Sequence, residues 1–339
     1  MHLPQPRGPL SARVVHALRS PVERSGFTGL HWSSDDADDA DDADVLGDDV
    51  QLALWLLYET HYRGFDGLPD HEWDPEAVRL RREIEAEFEG VLRRLSAPAV
   101  EAARAASEDL AEQLEHVTSS ADGPDLVAFL HREASHEQFV EYLVQRSLYH
   151  LKESDPHSFV LPRIDGNAKT ALAELQYDEY GSGRPERLHA RLFGDALESL
   201  GLDRDYGAYV DHVPAHTLAV NNAMSLFALQ RRLRGAALGH LAAFEMTSSI
   251  PCRKIAGGAE RLGLPSPVAG YFLEHVEADA VHEQVACRDV CGSLVADEPS
   301  LRDDVLLGAA TCLALDALAA EGVMAGWAAD ESVVGRAAS

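Results

Sequence analysis

The amino-acid sequence predicts an all-α protein folded as one helical bundle, and three observations carry this prediction. Beyond residue 45, nearly every segment has apolar residues three and four positions apart, which is the period of an α-helix. Strand patterns are nearly absent, with no sustained apolar–polar alternation and no Asn-Gly hairpin. The 339 residues are 46% hydrophobic and 25% charged, which suffices for one large core. In such a bundle we expect a metal or ligand site between facing helices.

The first 45 residues differ from the rest. They mix prolines and arginines with "SSDDADDADDADVLGDD", an acidic run of low complexity. Because its like charges repel one another and it has little apolar surface to bury, we predict a disordered arm over residues 1–45. A single helical domain is then predicted over residues 46–335.

The predicted helices follow in chain order. "DDVQLALWLLYETHYRG" begins with an acidic first turn, and "DPEAVRLRREIEAEFEGVLRRL" has Pro75 in its first turn. Further helices are predicted at 99–118, 124–133, 136–153, 167–180, 184–200, 204–210, 216–248, 266–293 and 302–328. The last contains Asp316, Glu321 and several glycines, so its apolar sequence predicts a buried helix and not a membrane span.

The net charge restricts the molecules that this protein can bind, and the cysteine content indicates where in the cell it is located. A formal net charge of -28 excludes binding to nucleic-acid phosphates or to an anionic membrane surface, which both require concentrated positive charge. We therefore expect a small-molecule substrate, no nucleic acid and no membrane, with a homodimer as the default assembly. The four cysteines lack a paired secretory spacing, and no apolar signal segment lies near residue 1, so a cytoplasmic location is expected.

Ionisable residues stand on helix faces that should be buried. In "NAKTALAELQYDEYG" the apolar line through Leu172 and Leu175 reaches Glu179. In "RPERLHARLFGDALESLG" His189 lies on the apolar face, and in "RRLRGAALGHLAAFEMTSSIP" the apolar line ends on Glu245. We expect these three side chains to point inward.

A third segment places three more ionisable residues on one helix face. In "YFLEHVEADAVHEQVACRDV", His275, Asp279 and His282 lie at positions 0, +4 and +7, within roughly a 60° wedge. Burying carboxylates costs several kcal/mol unless they are paired or bind a cation. Bound metal would remove that cost for all six residues, and the alternative is a metal-free hydrogen-bond network. Oxygen and imidazole donors without thiolate favour non-haem iron or manganese over structural zinc, and six side chains suit two ions.

The ferritin-like pattern does not account for this set. That pattern uses a glutamate from each of two helices and a Glu-x-x-His from each of the other two. The nearest match, Glu133 with His136, crosses the predicted start of a helix.

The blocks "LAELQYDEYGSGRPERLHARLF", "LAAFEMTSSIP" and "EHVEADAVHEQ" resemble the haem-oxygenase-like di-iron oxidases and oxygenases, the iron-containing redox enzymes, over roughly residues 50–330. That family has a Glu and a His ten positions apart, a later Glu, and then His-x-x-x-Asp-x-x-His. The matching residues here are Glu179, His189, Glu245, His275, Asp279 and His282. The resemblance implies a haem-oxygenase-like bundle, two non-haem irons, O2 as co-substrate and, optionally, an external electron donor. It also implies a further carboxylate ligand, for which Glu153 in "YHLKESDP" is the candidate.

The resemblance implies one of three reactions: N-oxygenation of a primary amine, desaturation, or oxidative C–C cleavage of an amino acid or fatty acid. N-oxygenation of an amino-acid-like amine is our leading interpretation. Because family substrates carry a carboxylate, cationic residues are expected to anchor it, with surface charge as the alternative reading. The candidate anchors and cavity-lining residues are Arg163, Lys169, Arg184, Arg253, Tyr177 and Tyr180.

Two other classes of protein are compatible with parts of the pattern. An iron-storing or iron-chaperoning bundle could use the same ligands but would turn over no substrate. A metal-free, thiaminase-like enzyme would need a cysteine nucleophile beside an acid. Cys287 lies five residues beyond His282, about 140° away around the helix, so it does not face the predicted site.

Overall fold

The computed structural model of the chain describes residues 1–33, 44–120 and 123–329, and for residues 277–281 it describes the backbone alone. Every regular element of this described part is helical, which confirms the all-α prediction. The α-helices are α1 (Pro9–Leu18), α2 (Asp48–Glu59), α3 (Pro75–Ala106), α4 (Leu110–Ser119), α5 (Leu126–Arg132), α6 (His136–His150), α7 (Asp155–Ser158), α8 (Gly166–Glu179), α9 (His189–Ser199), α10 (Ala215–Leu229), α11 (Arg234–Arg261), α12 (Ser266–Gln284), α13 (Ser293–Asp297) and α14 (Arg302–Ala328).

The centre of the bundle is the close crossing of α11 and α14. Two glycines allow it: a Cβ atom on Gly239 would lie 1.8 Å from the carbonyl oxygen of Val305, and one on Gly308 would lie 1.9 Å from that of Ala236. Any side chain at either position would overlap the facing backbone. Helix α11 also packs against α12, and these contacts fix the two helices that carry four of the predicted ligands.

A tight turn joins α8 to α9. Gly181 has a φ of 76°, and a Cβ on it would lie 2.6 Å from the backbone nitrogen of Leu188. Glycine is therefore required here for both its backbone conformation and its size. The turn reverses the chain between the last residue of α8, Glu179, and the first residue of α9, His189.

The N-terminal segment corrects one prediction. Residues 1–33 are not a disordered arm, because α1 buries Leu10, Val14 and Leu18 against α2. Asp49 of α2 accepts hydrogen bonds from two backbone N–H groups in the first turn of α1, at 2.7 Å each. A carboxylate at a helix N-terminus satisfies donors that have no partner within the helix. The rest of the predicted arm falls partly on residues 34–43, which lie outside the described residues.

Several predicted helix boundaries also change. The predicted helix 216–248 is two helices, α10 and α11, and α11 continues past Pro251 to Arg261. The predicted helix 266–293 is α12 followed by a π-helical segment, Val285–Gly292. Proline removes one backbone donor but does not end a helix that its neighbours hold in place.

One helix of the described residues is long and apolar enough to cross a membrane. It is the segment Pro299–Ala328, which contains α14, and 56% of its most apolar window is buried inside the protein. Its contacts with α3, α10 and α11 make it a core helix of this bundle.

Candidate metal centre

Two clusters of buried carboxylates and histidines lie between α6, α8, α9, α11 and α12. In the first cluster, ligand atoms of Glu153, His189 and His275 all lie within 4.8 Å of one another. Glu153 Oε1 is 3.5 Å from His275 Nε2 and 3.8 Å from His189 Nδ1. Ligand atoms roughly 2.1 Å from one metal ion lie about 3.0 to 3.6 Å apart, so the first separation suits two ligands of a shared ion and the second is slightly longer.

The second cluster has the same character. It consists of Glu179, Glu245 and His282, again with ligand atoms within 4.8 Å of one another and with all three residues buried. His282 Nδ1 lies 3.5 Å from Glu179 Oε1 and 3.6 Å from Glu245 Oε2. The cluster therefore offers two carboxylates and one imidazole to a common point.

Glu179 connects the two clusters. Its Oε2 lies 3.0 Å from His189 Nδ1, and its Oε1 faces His282 Nδ1 at 3.5 Å. Ser154 Oγ donates a hydrogen bond to Oε2 at 3.0 Å, which fixes the orientation of the carboxylate. Glu179 thus directs one carboxylate oxygen toward each cluster.

Further contacts orient the ligands. His275 Nδ1 donates to the backbone carbonyl of Tyr271 at 3.0 Å, and this bond directs His275 Nε2 toward Glu153. On the other side of Glu153, Oε2 lies 3.1 Å from His150 Nδ1, which is itself 2.7 Å from the Tyr271 hydroxyl. Such supporting contacts are typical of metal-binding histidines and carboxylates.

Two of the carboxylates, Glu153 and Glu179, are held in their ionised form. Burial would raise the pKa of Glu153, but hydrogen bonds and charge from His150 and His275 outweigh it and hold that pKa well below its usual range. Burial opposes ionisation of Glu179 as well, and His189 reverses the effect, so the pKa of Glu179 is also lowered. Ionised carboxylates are the form that binds a cation.

A small void lies among these side chains. It has a volume of about 10 Å³ and is lined by Glu153, Glu179, Glu245 and His275, among others. That volume is close to one water-sized sphere. An atom-sized space enclosed by carboxylate oxygens and imidazole nitrogens, without thiolate, fits iron, so these residues suit the cofactor that the sequence predicts.

A larger cavity adjoins the metal centre. It has a volume of about 360 Å³ and is bounded by α5, α6, α11 and α14. Phe244 lines both this cavity and the small void, and His150 lines the cavity while its Nδ1 contacts Glu153. The charged residues that line this cavity include Arg146 and Asp316, paired at 3.0 Å. A small molecule in this cavity would lie beside the first cluster.

The predicted substrate anchors do not line this cavity, and their role in substrate binding stays a prediction. The Arg163 guanidinium donates to the carbonyl of Ala228 near the end of α10. Lys169 is in the first turn of α8, ten residues and so about 15 Å along the helix from Glu179. Neither residue lines the cavity beside the metal centre.

The remaining predicted residues do not line the cavity either. The Tyr180 hydroxyl hydrogen bonds with Ser158 at 2.8 Å and donates to Asp155 at 3.1 Å, and the residue is 37% exposed. Three others are exposed on the surface: Tyr177, Arg184 and Arg253. Proximity along the chain to Glu179 or Glu245 therefore does not place a side chain in the cavity.

Another predicted ligand, Asp279, lies on α12 between His275 and His282. Its side chain lies outside the described residues, so its role as a ligand stays a prediction. Glu153, which sequence spacing supported least, is buried within the first cluster.

Three residues near the site were missed at the sequence level: Arg146, His150 and Tyr271. Arg146 and His150 share one face of α6, four residues apart, and Tyr271 is four residues before His275 on α12. Burial lowers the pKa of His150 to about 4, which keeps its imidazole neutral near pH 7. Helical spacing indicates such residues, because side chains three or four positions from a ligand lie on the same face of the helix as that ligand.

Comparison with known proteins agrees with this geometry. The family model described as "Iron-containing redox enzyme" matches residues 140–317, which is just over half of the chain. This range contains all seven predicted ligands. It leaves α1 to α5 outside the matched region.

A curated relative and a solved structure show more distant similarity. Nitrosourea synthase from Streptomyces achromogenes subsp. streptozoticus is 27% identical over 154 residues, covering 45% of this chain and 33% of that protein. The chain thus matches about a third of the length of that relative. A CADD-like protein of unknown function from Nostoc punctiforme has 17% identity and a TM-score of 0.47, covering 73% of this chain and 99% of that structure.

Proposed function

Because the chain belongs to the iron-containing redox enzyme family and is therefore an oxidoreductase, we propose that it is a non-haem di-iron enzyme that uses O2 to N-oxygenate an amino-acid-like amine. The position of Glu179 carries this proposal. Its two oxygens face separate groups of ligands, which supports a pair of ions rather than a single one. The cavity beside the first cluster supports an enzyme over an iron-storing bundle.

The proposal assigns four side chains to one ion and three to the other. Glu153, His189 and His275 hold one, and Glu179, Glu245 and His282 hold the other, with Glu179 shared between them. Asp279 is the additional ligand that its place on α12 suggests.

The bound irons would supply the binding and reduction of O2. The balanced reaction adds one oxygen atom of O2 to the substrate nitrogen and releases the other as water, with two electrons and two protons from an external reductant. Phe244 and Tyr149, whose rings pack at 4.8 Å, keep bulk water away from the centre. The His275–Tyr271 hydrogen bond holds the imidazole in one tautomer throughout.

Two features of the chain support an amino-acid substrate. The cavity is of a size for a small molecule, and its lining carries the Arg146–Asp316 pair, which offers a charge of each sign to a zwitterionic amino acid. The similarity to a nitrosourea synthase, whose named product contains oxidised nitrogen, supports chemistry at nitrogen over desaturation or C–C cleavage.

The experiment that tests this function is anaerobic loading with two equivalents of ferrous iron, followed by O2 and a reductant in the presence of single amino acids. Mass spectrometry should detect a product that has gained one oxygen atom on nitrogen. The Glu179→Gln variant should form none, and the Glu174→Gln variant, changed at an exposed position of the same helix, should form it normally. Products that have lost hydrogen or carbon instead would favour desaturation or C–C cleavage and overturn the proposal.

A further inference from the structure

The Arg146–Asp316 pair is a charged site inside the larger cavity. Among the described residues that line this cavity, Arg146 is the only lysine or arginine. Its Nη1 donates to Asp316 Oδ1 at 3.0 Å, and the centre of its guanidinium lies 5.0 Å from the centroid of the Tyr149 ring. Tyr149 thereby holds the guanidinium at one place on the cavity wall.

The other edge of this guanidinium is available to a ligand. Arg146 Nε is buried and makes no hydrogen bond to any described residue. A buried N–H group without a partner costs roughly 1–3 kcal/mol, so the site gains stability when an acceptor fills it. The edge that carries Nε and Nη2 has the fork geometry that matches a carboxylate with two parallel hydrogen bonds.

Asp316 adds the opposite charge at the same end of the cavity. Its side chain is 41% exposed, so carboxylate surface remains uncovered by Arg146. An arginine edge next to an aspartate matches a molecule that carries a carboxylate and an ammonium group on one carbon. A simple fatty acid would instead place its only charged group beside Asp316, and like charges repel.

We propose that Arg146 and Asp316 form a clamp for the α-carboxylate and α-ammonium of a linear amino acid whose side chain ends in nitrogen. This inference rests on the proposed function and specifies its substrate. An α-ammonium held by Asp316 is kept away from the metal centre, so the nitrogen that reacts is the one at the other end of the molecule.

The distance between the clamp and the centre sets the length of the substrate. Arg146 is one helical turn before His150, or about 6 Å along the axis of α6, and His150 contacts Glu153 directly. Phe244 lies between the two spaces. A spacing of one helical turn between these backbone positions favours a substrate with a short linear side chain.

Isothermal titration calorimetry tests the clamp on iron-loaded protein without O2. The probes are L-ornithine, L-lysine and L-arginine, each compared with its analogue that lacks the carboxylate (putrescine, cadaverine and agmatine). A second comparison uses ε-aminocaproate, which is lysine without its α-amine. At least one amino acid should bind, and its truncated analogues should bind at least about 10-fold more weakly.

Variants assign this discrimination to the two residues. Arg146→Gln should weaken binding of the amino acid about 10- to 100-fold and abolish the preference over the decarboxylated analogue. Asp316→Asn, at a partly exposed position that should not affect folding, should weaken amino-acid binding and improve that of ε-aminocaproate. Arg104→Gln, which breaks an exposed ion pair with Asp303, is the matched control and should change nothing.

Failure of the clamp is distinguishable from failure of the proposed function. If no amino acid of the panel binds, or if Arg146→Gln and Asp316→Asn leave the affinities unchanged, the clamp is wrong whatever reaction the enzyme performs. If binding depends on both residues but O2 yields no N-oxygenated product, the clamp stands and the proposed reaction is wrong.

Discussion

Glu179 Oε2 lies 3.0 Å from His189 Nδ1, although the two residues are ten positions apart and belong to different helices. The turn at Gly181 is what brings them together, because it reverses the chain between the end of α8 and the start of α9. This contact joins the first cluster to a carboxylate of the second cluster. It makes Glu179 the residue on which both ions would depend.

Replacing Glu179 with glutamine should therefore lower the iron content from two ions per chain to one or fewer. Glutamine keeps the shape of the side chain but removes its negative charge, and an amide cannot serve both clusters as a carboxylate does. The measurement is iron bound per chain after anaerobic loading and desalting. Glu174→Gln, on the exposed face of α8, should retain both ions, and unchanged iron in Glu179→Gln would refute the assignment of a shared ligand.

His150 should support metal binding without being a ligand. Its Nδ1 lies 3.1 Å from Glu153 Oε2, so His150→Phe would leave that carboxylate less well oriented. Loss of such a contact typically costs 10- to 100-fold in metal affinity, and we expect a decrease of about that size in a competitive ferrous-iron titration. The control is His136→Phe at the exposed first residue of the same helix. Equal affinity of the two variants would contradict a supporting role.

The crossing of α11 and α14 predicts a large loss of stability from small substitutions. Gly239→Ala or Gly308→Ala would place a methyl group less than 2 Å from a backbone oxygen of the facing helix, so the helices must separate. Overpacking of this kind costs about 1–3 kcal/mol and often more, which urea denaturation can measure. Gly270→Ala in α12 is the opposite case, because nothing lies within 4 Å of an added Cβ. That substitution should stabilise the protein by roughly 0.5–1 kcal/mol.

Helical periodicity correctly predicted the inward orientation of Glu179, His189 and Glu245, all of which are buried. Their burial follows from local sequence, since residues at i, i+3 and i+4 share a face whatever the tertiary structure is. Glu153 carried no comparable signal, because α6 ends at His150 and the turn that follows it has no helical period to read.

The proposed clamp could not be predicted in the same way. Arg163 and Lys169 are close to the ligands in sequence, whereas the cavity is formed by α6, α11 and α14, which are far apart along the chain. Only tertiary structure brings Arg146 and Asp316 together across 170 positions. Helix α1 was missed for another reason. Its apolar spacing through Leu10, Val14 and Leu18 is regular, but the acidic run that follows has the composition of a disordered segment.

The N-terminal segment predicts a specific response to acid. Asp74 caps α3 by accepting a hydrogen bond from the backbone N–H of Glu76 at 3.0 Å, and it also binds Ser25 and lies 3.1 Å from His71 Nδ1. Burial would raise the pKa of Asp74, but these hydrogen bonds outweigh it and lower the pKa below its ordinary value. A carboxyl whose pKa is lower in the folded state stabilises the protein above its unfolded pKa of about 3.9, and this stabilisation is lost as the pH falls through the folded value.

Asp74→Asn should reveal this contribution, because asparagine also caps a helix N-terminus but does not ionise. The free energy of unfolding of the wild type should exceed that of the variant by a constant amount above about pH 5, and the difference should shrink below about pH 4. Urea denaturation of both proteins at several pH values measures it, and taking the difference removes the acid response of all other groups. Ser25→Ala should reduce the pH-dependent part, since it removes one of the hydrogen bonds that favour the carboxylate. A difference that stays constant down to about pH 3 would show that Asp74 does not link the N-terminal segment to α3 through its charge.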